Sequence, residues 1–536
     1  MSDRWTTEQL AAGWRWVLVF EYAGQTYYMG TEAWDLLVGS QYVAVTASLL
    51  DVPDVEEAVD LWVTDAPRAS VALSLMFDQP VGQLVSRGYM LDGVRAELAQ
   101  IYVGGTWADR RTVMVGTFTD PEYGGAGEPV TLSLEENVLD DTGSFPDDVP
   151  VFDSDEANAW LAAGLINGSN YTFKFGARFP TVFGVPGAGL TAGSPCQRIY
   201  TWNNGGPPYY LVWALAAHPV GASTVTIIDG DGNTQVANVY EVRTPDGRVV
   251  SVAEHTVTAP AFTSALPDMR EGDVAGVVWD NGGGLVGADG STMRAGELIS
   301  YALERSAARV DYQSLLTARP LLDEYQIDTY LDERVSLSEW LLQSVLEVLP
   351  ISMVNGPRGV YPLVWAWTAT ANDATWQIDT AVETDVTRLS RVSYEGSADV
   401  ANTGSMSYRV NPQTNNYEAA LRYTGDVTYP AGVWTDDVLR ASYGRFGQRV
   451  ARYETGLVSE DLTASRVLAW KTRRYAMPSR HVVYAMPPRY GNLRRGDVVT
   501  LTDADVGFSA DVALVESIRW TDDHGIEVSL RVTSHA

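Results

Sequence analysis

Apolar and polar positions along this chain repeat with two periods, and the change between them lays out the predicted elements. Over most of the sequence short runs alternate apolar and polar residues between Gly, Pro, Asp and Asn turns, the pattern of strands. From Gly296 to Trp365 the period lengthens. Ser336 precedes Leu337, Trp340, Leu341, Val345, Val348 and Leu349, an apolar stripe at helical spacing. Ser336 and Glu339 have capping-box spacing, so each can satisfy a free backbone N–H at the helix start, and Pro350 stops the run. Ile351-Ser352-Met353-Val354, the Asn355-Gly356-Pro357-Arg358-Gly359 turn and Val360-Tyr361-Pro362-Leu363-Val364 then read as a hairpin. A helix delivering two strands is a mixed α/β packing unit, and the chain is organised around it.

Residues 14–150 read as largely β. Trp16 to Tyr22 turns at Ala23-Gly24-Gln25 into Thr26 to Met29. Ser70 to Phe77 is a further strand, Ala96 to Tyr102 and Arg111 to Phe118 form a hairpin, and Pro121 to Glu128 is a turn before the strand Pro129 to Leu134. Glu135 to Glu156 carries Glu135-Glu136, Asp140-Asp141, Asp147-Asp148 and Asp155-Glu156. Adjacent acids on extended chain point opposite ways, so the segment reads as a solvated linker, with weak calcium binding as the alternative. Asp155 to Leu165 is a short helix, and Gly184 to Pro195 a Gly/Pro-rich loop. Strands at Thr224 to Ile228, Gln235 to Glu241 and Arg248 to Val252 are joined by Asp229-Gly230-Asp231-Gly232-Asn233 and Pro245-Asp246-Gly247. The first turn opens like a calcium loop, but Thr234 stands where that loop needs Gly and Tyr240 where it needs its bidentate acid. Asn281-Gly282-Gly283-Gly284 reads as a flexible joint. Beyond Thr384, strands at Val392 to Tyr394, Gly404 to Val410, Ala419 to Tyr423 and Gly447 to Tyr453 precede one helix, Ser459 to Tyr475. Strands at Arg480 to Met486, in the LRRGDVVTLTD run from Leu493, at Asp511 to Trp520 and at Gly525 to Val532 close the chain.

The expected fold class is mainly β with α+β parts: several β-barrel or β-sandwich domains plus a central mixed α/β unit. A length of 536 residues suits about three or four domains. The expected division is 1–150, an N-terminal β-barrel; 151–207, a linker with a short helix; 208–290, an inserted β domain; 291–383, the central α/β domain; and 384–536, a C-terminal β domain with one helix.

Composition narrows the classes. The chain is 46% apolar and 20% charged, as globular proteins are. Its start, MSDRWTTEQL, has no signal-peptide pattern, and the apolar run Trp16 to Phe20 is far too short to span a bilayer, so no stable membrane insertion is expected. One cysteine, Cys196, excludes an internal disulfide framework, a four-cysteine zinc site and a cysteine-held iron–sulfur cluster within the chain. A reducing compartment or indifference to redox follows. The net charge of −31 repels nucleic acid and anionic membranes at long range. It serves solubility, or a surface past which DNA must slide without sticking.

Candidate chemistry is thin. The histidines are His218, His255, His481, His524 and His535, without HExxH or paired metal-ligand spacing. There is no GxSxG elbow. Gly187-Ala188-Gly189 lacks the Lys-Ser/Thr of a phosphate loop, and Asn167-Gly168-Ser169 and Asn170-Tyr171-Thr172 match the glycosylation triplet without a secretion signal. Cys196 with a distant histidine is a nominal nucleophile pair, more often an inert thiol. A glycosidase needs only two carboxylates, which so acidic a chain neither supports nor excludes. The 17 Trp and 27 Tyr offer sugar-stacking platforms, though most such rings serve core and interfaces. No catalytic, cofactor-binding or metal-ligating residue is assigned, and no cofactor is expected.

Three segments carry a resemblance. A helix ending in Tyr475-Ala476-Met477-Pro478, a strand, and then Tyr490-Gly491-Asn492-Leu493-Arg494-Arg495-Gly496-Asp497-Val498-Val499 together resemble the tailed-bacteriophage baseplate or tail-tip hub proteins, with relatives in gene transfer agents. Tyr325-Gln326-Ile327-Asp328-Thr329-Tyr330-Leu331, continuing DERVSLSEWL, looks like that family's middle domain, and WADRRTVMVGTFTDPEYGGAGEPVTLSLEE like a phage-tail β domain. The resemblance implies a structural virion protein rather than an enzyme: a ring, commonly a homotrimer, beneath the tail tube. It would be made in the host cytoplasm and end in the tail tip. Its partners would be copies of itself, the distal tail protein, the tape-measure protein and tail-tip fibre or receptor-binding proteins, with DNA only in transit. The −31 charge would then suit an acidic lumen. No C-terminal hydrolase or fibre extension is expected beyond the GDVV segment. The rival is a receptor- or glycan-binding tail protein. A peptidoglycan hydrolase ranks last.

Overall fold

In Trp14–Tyr22, Trp14, Trp16, Leu18 and Phe20 alternate with Val17 and Val19, and the strand is buried on both faces. Such a strand belongs in the middle of a layered structure. The computed structural model describes residues 6, 9, 13–51, 55–58, 70–76, 90–123, 128–135, 144–146, 149–166, 170–204, 208–228, 234–257, 275–279, 293–306, 310–356, 359–365, 369–424, 436–520 and 525–533. It is mostly β, 49% strand and 21% helix, with several barrel and half-barrel sheets.

The first sheet is antiparallel throughout, in the order Gln25–Gly30, Trp14–Tyr22, Arg95–Tyr102, Arg111–Tyr123, Val130–Glu135, Ser70–Leu75, Leu49–Asp51. The last sheet runs Trp376–Asp379, Val498–Asp503, Phe508–Trp520, Ile526–Val532, Arg480–Met486, Thr387–Arg388. The two sheets share one apolar core. Trp14 meets Trp520 edge-on, ring centroids 5.8 Å apart, and Val55–Ala58 pairs with Phe508–Trp520. Segments near the two ends of the chain therefore stabilise one another.

Between them lies a closed barrel. Ser194–Asn203, Tyr209–Ala216, Val249–Val257, Thr234–Arg243, Thr224–Ile228 and Ala275–Val278 pair in that order, and the last returns to Ser194–Cys196. Closure removes the exposed edges that an open sheet must protect. Leu211, Trp213, Leu215, Val225, Ile227 and Val277 fill the inside. Asn170–Phe173 adds a strand to the later half of Ser194–Asn203.

A second large core collects the helices. Ala295–Glu304, Tyr312–Leu322 and the helical run from Leu337 to Val348 pack with the hairpin Ile351–Gly356/Gly359–Val364. The same core holds the sheet Asn416–Tyr423/Thr403–Asn411/Val450–Glu454 with helices Asp437–Phe446 and Asp461–Arg474.

Several pairings cross the bounds of the expected division. The 151–207 segment is more than a linker, because two of its strands build the barrel. Within 384–536 the described residues of 403–476 pack on the central helices, and the flanking strands join the last sheet. Among its described residues it holds two α-helices where one is expected. Asp437–Phe446 escapes the periodic reading because it buries only Leu439 and Ser442, too thin a stripe. Within 1–150 the larger core is shared with the last sheet, and a smaller cluster of Val17, Leu36, Val45, Ala99 and Ile101 belongs to this segment alone. In the acidic segment, Phe145 and Phe152 are fully buried, so solvated linker fails for its later part. Its Asp140-Asp141 and Asp147-Asp148 lie outside the described residues, as do the Asp229–Asn233 turn and the Asn281–Gly284 joint. Pro121 to Tyr123 continues a strand instead of starting a turn. The Leu337–Val348 helix contains a π turn at Leu341–Val345. Ser336 Oγ accepts from the Glu339 N–H at 3.3 Å, the expected forward half of the cap.

Candidate functional site

The run Tyr325 to Leu331 is bonded to a different element at nearly every residue. Tyr325 O accepts from Ala295 N at 2.9 Å, Ile327 N donates to Met293 O at 2.8 Å, and Asp328 N donates to Leu457 O at 2.9 Å. Gln326 N donates to Thr463 Oγ1 at 3.1 Å, and Thr329–Leu331 pairs with Thr181–Phe183. Two helix starts and the short strand Thr181–Phe183 thus meet on seven residues.

Asp328 is the polar centre of this junction and is fully buried. Its Oδ1 accepts from Val185 N at 2.8 Å, and Gln326 Nε2 reaches both oxygens at 3.1 and 3.0 Å. Burial pushes the carboxyl up to about 7 despite these bonds, with Glu460 adding to the rise and Arg294 opposing it. Gly184, at φ +64°, permits the approach: a Cβ there would sit 2.3 Å from Asp328 Oδ1 and 2.6 Å from Ile327 O. The Gly/Pro-rich loop continues the clasp. Gly187 N donates to Ser459 Oγ at 2.9 Å and Gly193 N to Val277 O at 2.9 Å. Ser459 O accepts from Arg409 Nε and Nη2 at 3.1 and 2.9 Å, and Arg409 also pairs with Asp461 at 2.8 Å. Several of this loop's N–H groups are therefore engaged within the protein, where a phosphate loop would present them to ligand.

A second polar cluster lies where helix Asp461–Arg474 hands over to the last sheet. Glu395 takes a bidentate pair from Arg474 at 2.7 and 3.1 Å and a bond from Ser479 N at 3.0 Å, with Arg531 at 3.4 Å. Arg531 Nε stands 2.6 Å from Glu516 Oε1. His481 Nδ1 is 2.9 Å from Glu516 and Nε2 is 3.7 Å from Glu395. Burial raises the Glu395 carboxyl, but hydrogen bonds from His481 and Arg474, the Arg474 charge and Ser479 N–H together hold it far below the usual carboxylate range. Glu395 and then Glu516 raise the His481 imidazole above its ordinary value. The side chain of Arg474 is 1% exposed, so the cluster is an internal brace.

The other candidates are dispersed. Cys196 faces the barrel interior, where burial drives its thiol far up, the opposite of an activated nucleophile. No histidine ring bonds to it among the described residues. His255 Nδ1 accepts from Trp213 Nε1 at 3.3 Å and burial lowers it to about 4; His218 Nε2 accepts from Val182 N at 3.1 Å and is lowered by burial. His524 and His535 lie outside the described residues. Glu156 accepts from Trp160 Nε1 at 2.6 Å, four residues along one helix, and Asp155 contributes its backbone N–H to the Asp153 cap. No group of three His, Cys, Asp or Glu able to hold a metal occurs among the described residues.

The C-terminal motif is scaffold. Ala476 is fully buried where the helix ends, Leu493 is buried in the shared core, and Arg494 N donates to Asp497 Oδ2 at 2.9 Å. Gly496, at φ +78°, donates to Val515 O at 2.9 Å, and a Cβ there would meet Leu363 Cδ1 at 2.7 Å. The motif thus sets the last sheet against the central hairpin. Sequence reasoning missed Asp328, Glu395 and Arg409 as organising groups. Only Asp328 left a trace, as an acid between Ile327 and Tyr330 in a strand-like run. Taken together these arrangements hold segments in place, and no pair of them offers a nucleophile beside a base.

No protein-family model matches the chain, and no curated protein does. Among solved structures it is similar to the tail protein from Neisseria meningitidis MC58, at 10% identity over 97% of this chain and 96% of that one, TM-score 0.38. It is similar to the 43 kDa tail protein of prophage MuSo2 from Shewanella oneidensis, at 10% identity over 97% and 98%, TM-score 0.34. It is also similar to a chain of the native gene transfer agent virion, at 12% identity over 52% of this chain and 80% of that one, TM-score 0.17. Likeness this distant carries no functional weight by itself.

Proposed function

We propose that this chain is a structural virion protein, the hub of a tailed-phage or gene-transfer-agent tail tip. Copies of it form a ring, a homotrimer, that joins the tail tube to the tip and lets DNA pass. The observation that carries the reading is where the cations are. Arg110, Arg319, Arg388, Arg409, Arg474, Arg480 and Arg531 are each tied into ion pairs within the fold. With only 37 Lys and Arg against 68 Asp and Glu, the excess acid is left to the surface. Such a surface repels a phosphate backbone at contact range, inside the Debye length of about 8 Å at physiological salt. A channel that DNA must traverse without binding has that requirement. The motif-level resemblance of both ends and the middle of the chain supports the same reading, and the many braces and clasps suit a part that transmits force.

The ring's partners are the distal tail protein, the tape-measure protein and the tip's fibre or receptor-binding proteins. No helix among the described residues is long and apolar enough to cross a membrane. The test is genetic. A nonsense mutation in the gene should stop tail assembly, leaving heads without joined tails. Complete tails that fail only in adsorption would contradict the hub and indicate receptor binding.

A further inference from the structure

Beyond the hub role, we infer that the outer face of the barrel, at its added strand, carries a binding platform for a neutral saccharide chain. The rings come first. Tyr171, Phe173 and Phe175 stand at alternate positions from Asn170–Phe173 onward, and Tyr171 and Phe175 are exposed at 42% and 51%. Their centroids follow at 5.0 and 6.0 Å, and the Phe173 and Phe175 rings are within 20° of parallel. Buried Phe152 lies against Phe173 and Phe175 at 6.1 and 6.4 Å and holds them in place. The register carries the aromatic face across the sheet. Tyr171 pairs with Trp202, a buried ring, and Trp202 with half-buried Tyr210; these two rings stack at 3.9 Å and 6° and back the exposed Tyr171 and Phe175. From the added strand to Val249–Val257 is three strand spacings, about 14 Å, room for more than one pyranose.

The polar groups decide the occupant. Trp202 Nε1 donates to Glu254 Oε2 at 3.0 Å, which aims the carboxylate along the platform, and Glu254 Oε1 has no partner among the described residues. Asn238, directly across from Glu254, is exposed. The core of a protein–protein interface is depleted of charge, since an unpaired carboxylate sealed there is costly. A sugar fits without that cost: its C–H face lies on the rings and its hydroxyls donate to Glu254 and exchange bonds with Asn238. On a chain of net charge −31 an anionic glycan is repelled, so the saccharide is neutral.

The test uses the full-length chain and two flat, equatorially substituted probes, cellohexaose and N-acetylchitohexaose, with a hyaluronan hexasaccharide as anionic control. Saturable binding of at least one neutral probe is expected, followed by tryptophan fluorescence and calorimetry. Tyr171→Ala and Glu254→Gln should each weaken it at least tenfold with far-ultraviolet circular dichroism unchanged. Binding of neither neutral probe, or equal binding by both variants, overturns the platform. If Tyr171→Ala instead changes only the oligomeric state, the face is a subunit interface and the saccharide assignment falls. None of these outcomes bears on where the chain sits in the tail, so the hub reading is tested separately.

Discussion

Glu395 joins Arg474 and Arg531, both almost fully buried, to the rest of the protein. Removing it takes the bidentate counter-charge from the buried Arg474, while Arg531 keeps Glu516. Glu395→Ala should therefore destabilise the fold by about 3–5 kcal/mol, read from urea denaturation at neutral pH. The signs with pH follow from the shifts. The Glu395 carboxyl is depressed in the folded state, so its contribution is complete above the unfolded carboxyl value and is lost as the pH falls. His481 is raised, so its contribution is complete below the unfolded imidazole value, about 6.5, and is lost as the pH rises through the folded one. Asp328 works the other way for an acid. Its folded value near 7 exceeds the unfolded one, so stability falls as the pH rises between the two, from about 4 to about 7. Asp328→Asn should flatten that slope and leave the protein more stable than wild type at pH 8. An unchanged slope would mean that another group sets it. None of this was readable in advance. Asp328 is 143 residues from Val185, and Glu395 is 79 from Arg474, so only the fold brings these charges together.

At the scale of elements, the sequence-based expectations succeed where one periodicity decides. The closing strands are visible from local alternation alone: Arg480–Met486 and Ile526–Val532 alternate buried and half-buried positions almost throughout. The hairpin at Ile351–Gly356 and Gly359–Val364 is equally plain, since its turn and both strands are local. Expectations fail where tertiary contact decides. The Asp437–Phe446 helix has too little apolar stripe, and the aromatic strand Asn170–Phe173 looks like linker until Ser194–Asn203 lies beside it. Helix Asp461–Arg474 depends on one close approach that no periodicity shows. A Cβ on Gly404 would stand 2.3 Å from Thr472 Oγ1 and 2.6 Å from Leu468 Cδ1. Gly404→Ala should then push the helix off its sheet at a cost of about 1–3 kcal/mol. Thermal unfolding checks it, and a neutral or stabilising result would show that the helix can shift freely.

For the whole molecule, the fold class was legible because it rests on the summed pattern of many strands, whereas the grouping of those strands was not. Trp14 and Trp520 share a core although nearly the whole chain separates them. The candidate sites were legible only as composition: many aromatic residues, many acids, one thiol. Which rings would line up and which acids would be braced depends on register, and register is fixed by packing. At this scale the charge is the plainest property, and the hub reading turns on how it is displayed. The measurement that tests it most directly is a cryo-EM reconstruction of a tail tip containing this chain. The account predicts a closed ring of copies around the tube axis, with carboxylates lining the channel. Copies placed outside the axis, with their aromatic faces toward the host and no part in the channel wall, would contradict it.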